Sequence, residues 1–173
     1  NLAITMPLHC QLIYSGTMAE YGRSGYFDEL DWCAPDTAYG CAKYSCSTLA
    51  LAMRSMRSLD IRVARLFGVF GPGEHAQRLL PSVIARLLRG EEIRLSDGLQ
   101  VRDFIHVDDV CEALWQLFDA NELPGNLVNV GTGAGVSVRH VCLMVADILG
   151  ADADLLKFGA IERRPVHPDC LVA

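Results

Sequence analysis

Thr37-Ala-Tyr-Gly-Cys-Ala-Lys43 opens a helical pattern that has strand-like apolar runs on both sides, and that order sets the fold class. Asp36 or Thr37 can cap the helix, since a short side-chain oxygen accepts from the free N–H groups of a first turn. The helix is expected to run to about Leu59, with Ala42, Leu49, Ala52, Met53 and Met56 on its apolar face. Upstream, Gln11-Leu-Ile-Tyr14 is a buried-strand run that ends in the turn Ser15-Gly-Thr17. Downstream, Ile61-Arg-Val-Ala-Arg-Leu66 is a second strand, broken by Phe70-Gly-Pro-Gly73.

The alternation continues outward. Leu79 to Arg89 carries Leu80, Val83, Ile84, Leu87 and Leu88 at helical spacing, and Glu92 to Leu95 makes a brief strand. Phe104-Ile-His-Val107 is extended, and Asp108 or Asp109 is expected to cap a helix with Val110, Leu114, Leu117 and Phe118 inward. Leu127-Val-Asn-Val130 reads as a strand, Ser137 as the cap of a helix through Leu149, and Leu155–Phe158 as a short closing strand. Strands and helices in alternation mean an α/β protein with a mainly parallel sheet. The chain starts at Asn1 and stops in an extended-looking segment, which reads as part of something longer.

Composition narrows the partners. Of 173 residues, 51% are hydrophobic and 21% charged, the balance of a packed globular chain. No apolar run reaches the roughly 18–20 residues of a membrane span, and no signal segment opens the chain. A net charge of −6 argues against a nucleic-acid surface. Seven scattered cysteines without C-x-x-C spacing read as a buried, reduced set in a cytoplasmic protein, with no metal site. Thirteen of the 15 basic residues are Arg, the side chain better shaped for gripping phosphate oxygens.

The chemistry concentrates in the opening stretch. Tyr39 and Lys43, four apart, share one helix face. There an ammonium can lower a phenol's pKa and make it a proton-transfer group. With 5 Tyr and 2 Lys in the chain, chance placement predicts roughly 0.06 such pairs. The alternative is a surface Tyr packed on a Lys stem. Ser15-Gly-Thr17 sits where α/β sheets place ligand groups, at a strand's carboxyl end, or is simply a hydroxyl turn that satisfies its own backbone. Gly131-Thr-Gly-Ala-Gly135 has G-x-G-x-G spacing rather than G-x-G-x-x-G. Asp152 and Asp154, about 20 residues on, fall in a turn, so a tight loop is favoured over a dinucleotide site. Asp103 can pair with Arg102 on the surface, and His106 reads as a half-buried structural histidine.

These residues in order resemble the extended short-chain dehydrogenase/reductase family, and within it the nucleotide-sugar epimerase/dehydratase group. The match runs through Ser15-Gly-Thr17, Tyr21-Gly22, Tyr39-x-x-x-Lys43, Arg65-Leu-Phe-Gly-Val-Phe-Gly-Pro-Gly73, Arg102-Asp-Phe-Ile-His-Val-Asp-Asp109, Val128-Asn-Val-Gly131 and Arg164-Pro. The resemblance implies the C-terminal half of a Rossmann-like, doubly wound parallel sheet with a smaller substrate-binding lobe. Residues 1–69 would complete the dinucleotide-binding domain. Residues 70–173 would form mainly the substrate lobe, with segments returning to the Rossmann core.

By family role, Thr17 would hold the sugar's 4-oxygen and Tyr39 would act as acid/base. Lys43 would bond the nicotinamide ribose of NAD or NADP and help shift Tyr39 from about 10 toward 7, roughly 4 kcal/mol. Ser15 and Phe67 would line the cofactor. Gly68, Arg78 and Leu79 would contact a nucleotide-diphosphate sugar, and Arg102 and Arg164 would clamp its diphosphate. The family often has Asn where Gly68 stands, and Gly-Asp where Val166-His167 stand. Its 4,6-dehydratases carry Asp-Glu where this chain has Met18-Ala19, so the groups for removing water are missing. The implied activity is epimerisation at C4 through a 4-keto sugar; the alternatives are 4-ketoreduction, or a non-catalytic relative or fragment. A homodimer built on a four-helix interface that includes the Tyr/Lys helix is also implied.

Overall fold

The structure, a computed structural model, describes residues 5–7, 9–121, 123–162 and 168–173. Three parallel strands make the first sheet in the order β1 (Gln11–Thr17), β3 (Asp60–Leu66), β7 (Leu127–Val130). The register runs from Gln11 opposite Asp60 to Thr17 opposite Leu66, then Val63 opposite Leu127 to Leu66 opposite Val130. Central β3 alternates its side chains between two helices, one on each face of the sheet. Ile61 and Val63 pack with Leu12, Tyr14, Ala50 and Leu51 on the side of α1 (Ala38–Arg57). Ala64 packs with Ile13, Val110 and Leu117 on the side of α3 (Val107–Asp119). A helix on each face is the doubly wound arrangement expected from the sequence. Each fully buried Val, Ile or Leu contributes about 1.5–3 kcal/mol of transfer free energy.

The second sheet has the order β2 (Gly25–Tyr26), β10 (Cys170–Val172), β6 (Val101–His106), β4 (Gly68–Phe70), all parallel, with β8 (Gly135–Ser137) antiparallel on β6. A third core joins α2 (Leu79–Leu88), α4 (Val138–Leu149) and the two-stranded pair β5 (Ile93–Arg94) and β9 (Leu156–Lys157). It is built on Val83, Leu87, Ile93, Val138, Cys142, Ala146 and Leu156.

Helix ends follow local chemistry. The Thr37 hydroxyl accepts from Gly40 N at 3.0 Å, and the Ser137 hydroxyl from His140 N at 3.1 Å. α3 departs from expectation. Neither Asp108 nor Asp109 caps it; His106 does, its Nδ1 accepting from Asp108 N at 3.2 Å.

The buried face of α1 also differs from the expected one. It is lined by Gly40, Ser47 and Ala50, whereas Leu49 and Met56 are 61% and 79% exposed. The reason is close approach: a Cβ at Gly40 would meet Ala19 O at 2.5 Å, so the small residues turn toward the sheet and the larger apolar ones turn away. The seven cysteines are unpaired, and only Cys142 is fully buried; Cys41, Cys46 and Cys111 are exposed, against the expectation of a buried set. No helix among the described residues is long and apolar enough to cross a membrane.

Candidate active site

The carboxyl end of β1 brings the chemistry-bearing residues together. Thr17 leaves the strand and caps a single 3-10 turn, Met18–Glu20: its Oγ1 accepts from Ala19 N at 3.3 Å, and its own N–H donates to Glu20 Oε1 at 3.1 Å. This reciprocal capping box satisfies the turn's backbone, as the simpler reading of Ser15-Gly-Thr17 expected. Among the described residues Thr17 Oγ1 serves only as an acceptor, so its hydroxyl hydrogen can point elsewhere.

Glu20 is the residue the sequence reading passed over, though Thr17-x-x-Glu20 carries the capping-box spacing that could have found it. Its carboxylate is fully buried and accepts from Ser47 Oγ at 2.8 Å and from Arg65 Nε at 3.0 Å. Arg65 also donates to the Tyr21 hydroxyl at 3.2 Å, and Tyr21 donates to Asn129 Oδ1 at 2.8 Å. Burial pushes the Tyr21 phenol up, while Arg65 beside it pulls the other way. β1, the turn after it, α1, β3 and β7 are thus locked behind Thr17 by one polar network, in which each buried charge has a partner.

α1 lays its first turns across this end. Lys43 Nζ donates to the Ser15 carbonyl at 2.6 Å and lies 4.8 Å from the centre of the Tyr14 ring. Tyr39, one turn earlier, is 60% exposed and faces outward from the same end of the sheet. None of the described ion pairs includes Lys43. The ammonium therefore keeps donors and field for a bound group. An exposed phenol and an uncancelled ammonium at the carboxyl end of parallel strands fit the nicotinamide ribose of a dinucleotide, so the residues present suit the cofactor the resemblance implies.

The remaining predicted residues are distributed as follows. Phe67 is buried beside Tyr21, Phe27 and Leu171, its N–H bonded to Val130 O at 3.0 Å. Gly68 starts β4, where a Cβ would meet Asp103 O at 2.5 Å; the position where relatives often carry Asn is closed here by backbone. Arg78 stands at the start of α2, paired with Glu74 at 3.2 Å. Leu79 lines a concavity of about 370 Å³ with Gln77, Ser82, Arg86 and Arg94. Arg102 donates to the carbonyls of Val101 and Pro168 at 2.7 and 2.9 Å, which ties it to the segment following Arg164. Arg164 itself lies outside the described residues. A larger concavity, about 710 Å³ and bordered by Arg54, Asp60 and Arg62, opens at the opposite ends of the strands, so volume does not locate the chemistry.

Asp103 does not pair with Arg102 on the surface. It is fully buried and accepts from Thr132 N, Thr132 Oγ1 and Gly133 N at 2.6–3.0 Å, and from Ala173 N at 3.3 Å. The glycine loop after β7 thus has its N–H groups turned onto a carboxylate of its own chain. This explains why Gly131–Gly135 is a turn, here leading into β8, and not a phosphate cradle.

Together the doubly wound sheet, the Thr17 turn and the Tyr39–Lys43 helix define a short-chain-dehydrogenase type of α/β protein. The profile of the NAD dependent epimerase/dehydratase family matches residues 2–131, and the chain belongs to that family. A dTDP-glucose 4,6-dehydratase of Streptomyces antibioticus is 29% identical over 147 residues, covering 83% of this chain and 44% of the relative. The crystal structure of a dTDP-glucose 4,6-dehydratase from Bacillus anthracis in complex with NAD superposes with a TM-score of 0.86 at 26% identity, over 95% of this chain and 53% of that one. A UDP-N-acetylglucosamine 4-epimerase from Methanobrevibacter ruminantium, in complex with UDP-N-acetylmuramic acid, gives 0.84 at 26% identity, over 94% and 53%. The chain spans about half the length of the relatives it matches.

Proposed function

We propose that the protein to which this chain belongs is an NAD(P)-dependent enzyme that epimerises a nucleotide-diphosphate sugar at C4. The observation that carries this reading is the Lys43–Ser15 bond, which seats the Tyr39 helix on the end of the strand whose turn presents Thr17. In this reading Thr17 donates its free hydroxyl hydrogen to the sugar's 4-oxygen, and Tyr39 takes the 4-hydroxyl proton and later returns it. Lys43 holds the nicotinamide ribose and places positive charge beside the developing tyrosinate. When bound, the cofactor would accept the hydride from C4 and give it back on the other face of the sugar. Arg102 and Arg164 would grip the diphosphate, with Arg78 and Leu79 toward the nucleoside. The first sheet would belong to the cofactor domain, and the α2–α4 core to the substrate lobe.

The 4,6-dehydratases among the relatives share the fold, but Met18 and Ala19 offer no acid or base at the positions that would serve elimination of water. A 4-ketoreductase would use the same residues, and cofactor accounting separates the two. Turnover without net change in reduced nicotinamide identifies an epimerase; its stoichiometric consumption on a 4-keto sugar identifies a reductase. In the whole protein, Tyr39→Phe is expected to lower kcat by roughly 10²–10⁴-fold, and survival of turnover within about twofold would sink the assignment.

Leu49 and Met56 on the outer face of α1 supply the apolar surface for a homodimer. Leu49→Glu is expected to shift the whole protein to monomer in sedimentation, and an unchanged sedimentation coefficient would remove α1 from the interface. The unpaired thiols suit a reducing, cytoplasmic setting.

A further inference from the structure

We propose that Tyr14 is a positioning residue for Lys43: its ring face carries the ammonium at the end of β1 and leaves the positive charge uncancelled beside Tyr39. The proposal rests on the reading of Tyr39 and Lys43 as a proton relay and assigns a further residue to it.

The geometry is specific. Tyr14 immediately precedes Ser15 on β1, on the face covered by α1, where its ring packs with the cluster of Leu12, Ala50 and Ile61. Lys43 reaches down from α1 so that Nζ meets two neighbours from consecutive residues, the Ser15 carbonyl at 2.6 Å and the Tyr14 ring centre at 4.8 Å. Both are electron-rich and neither carries net charge. A carboxylate in either place would hold the ammonium as firmly, but would cancel the field that a developing tyrosinate needs. A ring quadrupole attracts the cation without that cost.

The arrangement works only while Tyr14 is itself uncharged. The groups around its hydroxyl secure this: burial first, then the hydrogen bond to Cys46 and the nearby Glu20 and Tyr39, push the phenol up to about 12. Two tyrosines therefore share one lysine with different duties, one exposed and reactive, the other packed beneath the ammonium and inert.

The test is made on the whole protein, with the Lys43 and Lys157 signals assigned by the loss of each in Lys43→Arg and Lys157→Arg. Lys157, near Glu92 at 3.4 Å, serves as the internal reference in proton–carbon NMR of the ε-methylene groups. The Lys43 ε-protons are expected upfield of those of Lys157 through the ring current of Tyr14, with cross-relaxation to the Tyr14 ring protons. Tyr14→Phe keeps the face and is expected to keep the shift. Tyr14→Leu is expected to bring Lys43 to the Lys157 position, with the amide resonances of α2 and α4 unchanged as the check on folding. A wild-type Lys43 signal that already coincides with Lys157 overturns the proposal without any variant, and so does an upfield signal that survives Tyr14→Leu.

In the whole protein, Tyr14→Leu is expected to lower kcat by more than about tenfold with KM little changed, and Tyr14→Phe to restore it; a kcat for Tyr14→Leu within about twofold of wild type overturns the proposal. Normal turnover in Tyr39→Phe would instead sink the relay while leaving the Lys43 shift in place, so the two failures are distinguishable.

Discussion

A side chain at Gly68 would push its Cβ to within 2.5 Å of the Asp103 carbonyl, a backbone atom that cannot swing away. Gly68→Asn, which would install the residue relatives often carry, is therefore expected to destabilise the chain by about 1–3 kcal/mol, read as a lower denaturant midpoint. Midpoints equal to wild type would show that β4 and β6 part easily. Tyr14 gives a second prediction at this scale. Burial first, and then Cys46 beside it, push its phenol up to about 12 in the folded chain, against about 10 when unfolded. A group raised in this way contributes stability that is whole below about pH 10 and is lost as pH rises through the folded value. Denaturant midpoints of wild type are expected to fall across that window, and those of Tyr14→Phe to fall less. Both residues illustrate what a sequence hides: Gly68 reads as a substrate contact that departs from the family's Asn and Tyr14 only as the end of a strand, because their packing depends on atoms brought from β6 and α1.

At the level of elements, the Glu20–Arg65 pair joins the turn after β1 to β3, with both side chains all but removed from solvent. Removing one member strands the other. Arg65→Met is expected to cost about 3–5 kcal/mol, and Glu20→Gln added to it to recover a large part. A double variant no more stable than Arg65→Met alone would mean that the buried carboxylate is satisfied without the guanidinium. The helices were legible from sequence nearly to the residue, because caps such as Thr37 and Ser137 and the spacing of Val83 and Leu87 are local facts. The short strands β2, β4 and β8 were not, since nothing so short has a period. The inward face of α1 was misread for a different reason: periodicity finds an apolar stripe but not the direction it points, and here the helix approaches the sheet on Gly40, Ser47 and Ala50. At the site, the Tyr39–Lys43 pair was visible in its spacing and Thr17 only through the family resemblance, while the Glu20 network was visible only as an unremarked capping box.

Across the whole molecule, thiol chemistry reports how well its parts close. Cys142 lies in the α2–α4 core, where burial pushes its thiol up to about 11, whereas Cys41, Cys46 and Cys111 are exposed. At pH 8 a maleimide reagent is expected to modify the three exposed cysteines in the folded chain and to reach Cys142 only after unfolding; mass mapping of the labelled peptides decides it. Labelling of Cys142 at the same rate as Cys111 would mean that the third core opens freely. The second sheet carries a different consequence. Its inner strand β10 lies between β2 and β6, and the backbone N–H of Asp169, just before it, donates to Ser24 Oγ, 145 residues away. Long loop closure must come before such contacts contribute anything, so the pairing of β2 with β10 is expected to be a late event in folding. During synthesis the β1–β3–β7 layer can assemble as soon as Val130 has emerged, and β6 can pair with β4 and β8, while β2 and one edge of β6 wait for residues 170–172. In that interval the open strand edges are the surface on which a second copy of the chain could pair.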